Sequence, residues 1–154
     1  MPPFFAHITA EIDIPAPPEA VFAHWHDPNS RLRWEAPEGS GMRYLNFAPE
    51  AGGVEEIEIT HDGAVVGHMT QRILVLDSPH LSVAQISGTF GGATTMIMQV
   101  TMRFDATDTG TRITGTSQVI DTTGRDVKAE HEGGWQHLFT AFAADFAAHG
   151  VQHG

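Results

Sequence analysis

Cysteine is absent from the 154 residues, which excludes disulfide scaffolds, thiolate-ligated zinc and thiol catalysis. Basic residues are few, 8 Lys and Arg against 19 Asp and Glu, a formal net charge of -11 with neutral histidines. Such a field repels phosphate backbones and anionic lipid surfaces, so neither nucleic acid nor a membrane is expected as a partner. No run approaches the ~20 apolar residues of a membrane span. The opening MPPFFAHITAEIDIP also lacks a basic stretch followed by an apolar core and small residues, so the cytoplasm is the expected location. There is no Gly-x-Ser-x-Gly elbow, phosphate loop or dinucleotide fingerprint, and no cofactor is expected. What is present is a globular composition, 41% hydrophobic and 18% charged, with a mean hydropathy of -0.15. One domain spanning residues 1–154 follows from that length.

From Ala6 to Ile14 apolar and polar residues alternate, the period of a half-buried strand, and Pro15, Pro17 and Pro18 stop it. Pro18 opens a short helix with Val21, Phe22 and Trp25 on one face, and Arg31 to Glu35 form a second short turn. Trp25 reads as plain core. Strand chemistry then recurs over Met42 to Phe47, Val54 to Thr60, Val65 to Leu76, Leu81 to Gly88, Thr94 to Phe104 and Thr111 to Ile120. The separators Gly52-Gly53, Asp62-Gly63, Ser78-Pro79, Gly91-Gly92 and Asp108-Thr109-Gly110 suit tight turns. Between about Arg125 and His149, Trp135, Leu138, Phe139, Phe142 and Phe146 recur at helical spacing. The pattern predicts an α+β fold: a curved seven-stranded antiparallel sheet, two short helices, and a long C-terminal helix over the concave face.

That order is the helix-grip arrangement, and two segments sharpen it. The stretch EIDIPAPPEAVFAHWHDPNSRLRW followed by Pro37-Glu38-Gly39, together with Glu130-His131-Glu132-Gly133-Gly134-Trp135, resembles the START-related helix-grip superfamily (SRPBCC, the pollen-allergen-like fold). The likeness is to the branch of activator of heat shock protein 90 ATPase homologues, from which the chain departs at Glu35-Ala36, where relatives often carry an aromatic or glycine. The resemblance implies a cavity between sheet and long helix. Across the superfamily such cavities serve lipid or polyketide binding, cyclisation, hydrolysis and chaperone regulation, so fold alone does not name the function.

The residues give the implied cavity candidate walls. Met98, Val100 and Met102 share one face of a strand with Met96 and Phe104, and thioethers adapt to flexible apolar ligands. Ile113, Gly115 and Ser117 share a face of the next strand, where the glycine and serine predict unfilled volume that a ligand would occupy. His131, Trp135, Leu138, Phe139 and Phe142 complete the set from the helix. Gly133 and Gly134 cost roughly 1 kcal/mol each in a helix, which close approach to the sheet or a ligand would offset. His131, His68, Arg72 or Gln85 are candidates to orient a ligand, with Glu130 and Glu132 available for acid-base work. The acidic run Glu50, Glu55, Glu56, Glu58 reads as the solvent side of a strand edge. The histidine spacings, His24/His26, His61/His68 and His149/His153, do not fit a metal site. The expected partner is a hydrophobic or amphipathic small molecule. A cyclase or hydrolase using a cavity His or carboxylate is the first alternative, and a chaperone ATPase regulator acting through its surface is the second. Catalytic residues and oligomeric state are not legible.

Overall fold

The structure is a computed structural model that describes residues 2–36 and 40–150. Pro37-Glu38-Gly39 and His153 therefore lie outside the described residues. Alternation places Ile8 and Ile14 on the buried face of β1 (Phe4–Ile14). Pro18 then opens α1 (Pro18–His26) and Pro28 opens α2 (Pro28–Trp34), each at a position whose amide hydrogen a helix leaves unpaired. The Asp27 carboxylate caps α2 by accepting from the Asn29 amide at 3.0 Å. Next come β2 (Gly41–Asn46), β3 (Val54–His61), β4 (Ala64–Asp77), β5 (Leu81–Phe90), β6 (Ala93–Ala106) and β7 (Thr111–Asp121), and then α3 (Lys128–His149). The helix begins at Lys128 rather than at Arg125.

Seven strands form one antiparallel sheet in the order β1-β7-β6-β5-β4-β3-β2. It is a meander from β2 to β7 with β1 added beside β7, Ile8 opposite Ser117 and Ala10 opposite Gly115. Asp62-Gly63 and Gly91-Gly92 turn two of the hairpins with φ positive at all four residues, the geometry that follows strand twist across a two-residue loop. Register shifts in the four pairs from β2–β3 to β5–β6 supply the bulges that bend this half of the sheet. The helix-grip architecture expected from the sequence is the observed one.

The concave face carries two different loads. Along β1, β7 and the end of β6, Phe104, Ile113 and Val119 join Val21, Phe22 and Trp34 from the short helices and Phe139, Phe142 and Phe146 from α3 in a continuous core. The long helix packs chiefly against β1 and both short helices. His24, buried in α1, meets Asp145 of α3 at 2.7 Å, and Arg33 of α2 donates to the same carboxylate at 2.7 and 3.1 Å. Burial pushes the Asp145 carboxyl up, but the hydrogen bonds from Arg33 and His24 outweigh it and hold it below its ordinary value. The C-terminal half of α3 is thus fixed over one side of the sheet, and most of the concave face of β3 to β5 is left uncovered, with α1 and α2 reaching it through His26–Ser82 and Arg31–Glu55.

Candidate functional site

That uncovered face and the first turns of α3 enclose a cavity of about 1130 Å³. Its floor is apolar: Ile59, Met69, Ile73, Ala84 and Ile86 come from β3 to β5, and Met96, Met98, Val100 and Met102 from β6. Exposed wall residues, among them His61, Val66, Phe90, Thr123, Arg125 and Glu130, mark the mouth. Gly133 and Gly134 stand at this rim with nothing within 4 Å of where a Cβ would be. Of the two offsets expected for them, close approach to the sheet is therefore not found, and room for a ligand is the other.

Of the residues singled out in the sequence, Met98, Val100, Met102, Ser117, His131, Trp135 and Leu138 line this cavity. Ile113, Phe139 and Phe142 do not; they belong to the core beside it, where the helix lies on β1 and β7. Gly115 is also outside the wall, and its expected empty volume does not exist. A Cβ on Gly115 would stand 2.7 and 2.8 Å from the Trp135 ring, so the glycine is the floor on which the indole lies. Trp25, expected as plain core, is half-buried and lines the cavity, as does buried Trp34. Burial holds half-buried His131 below its ordinary value, against the opposing pull of Glu130. Strand parity sends His68, Arg72 and Gln85 to the convex face, away from the cavity. His68 and Arg72 pair across the ladder with Glu58 and Val54, and Gln85 joins Phe5, His7 and Ile97 around a smaller convex depression of about 520 Å³. Among the described residues, no three His, Asp or Glu side chains gather as a metal-binding group.

The polar chemistry of the cavity lies instead in a cluster the sequence reading missed. Glu55, assigned above to a solvated edge, is fully buried. Its carboxylate accepts from Arg31 at 2.8 and 3.4 Å, from Gln71 at 2.8 Å and from the Ala48 amide at 3.0 Å. Arg31 also donates to Glu35 at 3.1 Å and to the Tyr44 hydroxyl at 2.6 Å, and that hydroxyl donates to Glu35 at 2.5 Å. Arg31, Glu35 and Gln71 face the cavity. Burial works against the charge on Arg31, but Glu35 and Glu55 hold the guanidinium above its ordinary value. Burial and Glu35 push the Tyr44 phenol up, so it stays protonated. The signal was parity: Glu55 lies two and four residues before Ile57 and Ile59, on the apolar face, whereas Glu56 and Glu58 lie on the other.

A second polar pair sits between α1 and β5. His26 Nδ1 is 2.8 Å from the Phe22 carbonyl, which can only accept, so Nδ1 carries the proton and Nε2 accepts from the Ser82 hydroxyl at 2.9 Å. Burial lowers the His26 pKa to about 4, overriding the Phe22 hydrogen bond.

Residues 6–150 match the family described as polyketide cyclase / dehydrase and lipid transport. The chain belongs to this family. Its members share the helix-grip superfamily expected from the sequence, while the comparisons do not single out the chaperone-activator branch. No curated protein matches the chain by sequence. Among solved structures, the Mll3558 protein from Rhizobium loti superposes with a TM-score of 0.84 at 23% identity, covering 94% of this chain and 99% of that one. A protein from Rhizobium leguminosarum gives 0.80 at 18% identity over 95% and 97%. Protein CV1439 from Chromobacterium violaceum gives 0.76 at 22% identity over 90% and 94%. At such identities the likeness is one of fold.

Two predictions follow from the geometry. Gly115→Leu should lose about 1–3 kcal/mol of stability by overpacking against the indole, and Trp135→Leu in the same chain should recover part of it; denaturant midpoints of the three variants decide. For His26 the folded pKa of about 4 lies below the ordinary 6.5, so its contribution is complete above pH 6.5 and is lost as pH falls toward 4. The wild type should lose up to about 3 kcal/mol more than His26→Gln across that interval, measured as urea stability against pH. Parallel profiles would contradict the neutral assignment.

Proposed function

We propose that the protein binds a hydrophobic or amphipathic small molecule between the sheet and the start of α3. The observation that carries the reading is the cavity of about 1130 Å³, floored by aliphatic and thioether side chains and bordered by a few polar clusters, chief among them the Arg31 network. Ordinary cores are packed to near-crystalline density with few voids larger than a water molecule. A space of this size with an apolar floor and few convergent polar groups is the form of a ligand site. The unbranched methionines of β6 can repack around ligands of irregular shape. The family description, which includes lipid transport, points the same way.

A second reading, turnover of the bound molecule by cyclisation or hydrolysis, is favoured by one feature. The Glu35 carboxylate stands in the wall with the protonated Tyr44 hydroxyl donating to it at 2.5 Å, a pairing able to take and return a proton. Native mass spectrometry of the freshly purified protein identifies the bound molecule, and NMR of that molecule before and after incubation separates the two readings: an unchanged covalent structure belongs to a carrier, whereas ring closure, which can conserve mass, or hydrolysis belongs to an enzyme.

Binding itself is tested by filling the floor. Ala84 faces the cavity and is only half-buried, so Ala84→Phe should occupy ligand space without displacing core. Nile red binding, followed by fluorescence, should weaken at least ~10-fold, a loss of about 1.4 kcal/mol, with the melting temperature kept. Unchanged dye affinity in the folded variant would place binding elsewhere.

A further inference from the structure

We propose that the cavity selects amphiphiles whose polar end is an uncharged or cationic hydrogen-bond donor (a hydroxyl, a phenol or an amine) received by Glu35, and that it discriminates against carboxylate-headed ones. This rests on the binding reading above and narrows it.

Two arginines line the cavity, and both are engaged. Arg31 is held by Glu35 and by fully buried Glu55, and Arg125 donates to Glu130 at 2.9 Å. With Asp121 also in the wall, these two cations meet four carboxylates, Glu35, Glu55, Asp121 and Glu130. The single lysine of the chain, Lys128, lies outside the wall. Four histidines line the wall. His26 cannot serve as a cation, because its Nδ1 proton is committed to Phe22 and its Nε2 accepts from Ser82. Burial disfavours the charged form of His131. His61 lies 3.5 Å from Asp62, and His137 is engaged as well. A ligand carboxylate entering this space would leave water without gaining a free positive partner, and a buried charge without a partner is strongly disfavoured.

Glu35 offers the opposite. Its Oε2 accepts from both Arg31 and Tyr44, while its Oε1 has no hydrogen-bond partner among the described residues. The carboxylate is held in place from behind and lines the cavity. A hydroxyl or amine reaching Oε1 forms a charge-assisted hydrogen bond to a group already oriented, the stronger kind of hydrogen bond, at little ordering cost.

The test is displacement of Nile red from the full chain at neutral pH by three ligands of one chain length: decanol, decylamine and decanoate. Decanol and decylamine should displace the dye at concentrations at least ~10-fold lower than decanoate. Glu35→Gln carries the decision, since a neutral alcohol enters any apolar space more readily than an ionised carboxylate and the net charge of -11 adds to that gap; an unchanged gap in that variant would overturn the head-group inference. Glu35→Gln should narrow the decanol-to-decanoate gap to about threefold or less, whereas Glu19→Gln, an exposed change of the same formal charge, should leave it intact. Decanoate competing within about threefold of decanol in the wild type would overturn the head-group inference while leaving the binding reading in place. A wild type that takes up no Nile red would overturn both. Should Glu35→Gln fail to fold, Glu35→Asp, which withdraws the carboxylate by one methylene, takes its place and should narrow the gap likewise.

Discussion

A guanidinium withdrawn from water must have its hydration replaced by fixed acceptors, and the Arg31 site is arranged around that demand. Two carboxylates and a phenol supply the acceptors, and they arrive from three elements: Glu35 from the end of α2, Tyr44 from β2 and Glu55 from β3. The network therefore ties the short helices to the edge of the sheet that lies farthest from α3 in strand order. At the other side, Asp145 ties the same short helices to α3 through His24 and Arg33. With α1 and α2 held at both margins, the space between them and the strands is spanned rather than filled. Removing Arg31 would leave the fully buried Glu55 carboxylate without a counter-charge, which is why the pair acts as a structural constraint whatever the ligand.

The same arrangement explains why the cavity is lopsided. Over β1 and β7 the aromatic residues of α3 complete a dry core, and Gly115 lets the Trp135 indole lie directly on the sheet. Trp135 is thus the divide, buried against the core and Gly115 while also forming part of the cavity wall. Beyond it lie the bulged strands β3 to β5, whose apolar face the short helices reach at its margins through Arg31–Glu55 and His26–Ser82. An apolar face of that extent, left to water, forgoes about 25 cal/mol for each Å² it could bury, and a ligand is the partner that would recover it.

Much of the fold was legible because strands and helices announce themselves by period. The alternation from Ala6 to Ile14 and the methionines of β6 at every second residue assign each strand its inner face, and the spacing from Trp135 to Phe146 gives the helix its stripe. Parity put Met98, Val100 and Met102 on one face, and the family resemblance supplied the cavity that this face was expected to line. What was not legible were contacts between elements. Gly115 looked like a void because its neighbour in space is a ring twenty residues away in the chain. Glu55 looked solvated because its partner Arg31 is on a different element 24 residues earlier. His68 and Arg72 were misplaced for a simpler reason: they share the parity of Glu56 and Glu58 across the ladder, which assigns them to the convex face.

The central claim is that the ligand sits on the concave face, and backbone amide shift mapping during titration with decanol tests it most directly. The account predicts perturbations at Met69, Ala84, Ile86 and Met98 and at the Trp135 indole, with the convex depression around Phe5, Ile97 and Gln118 unaffected. Shifts confined to that convex depression would contradict it.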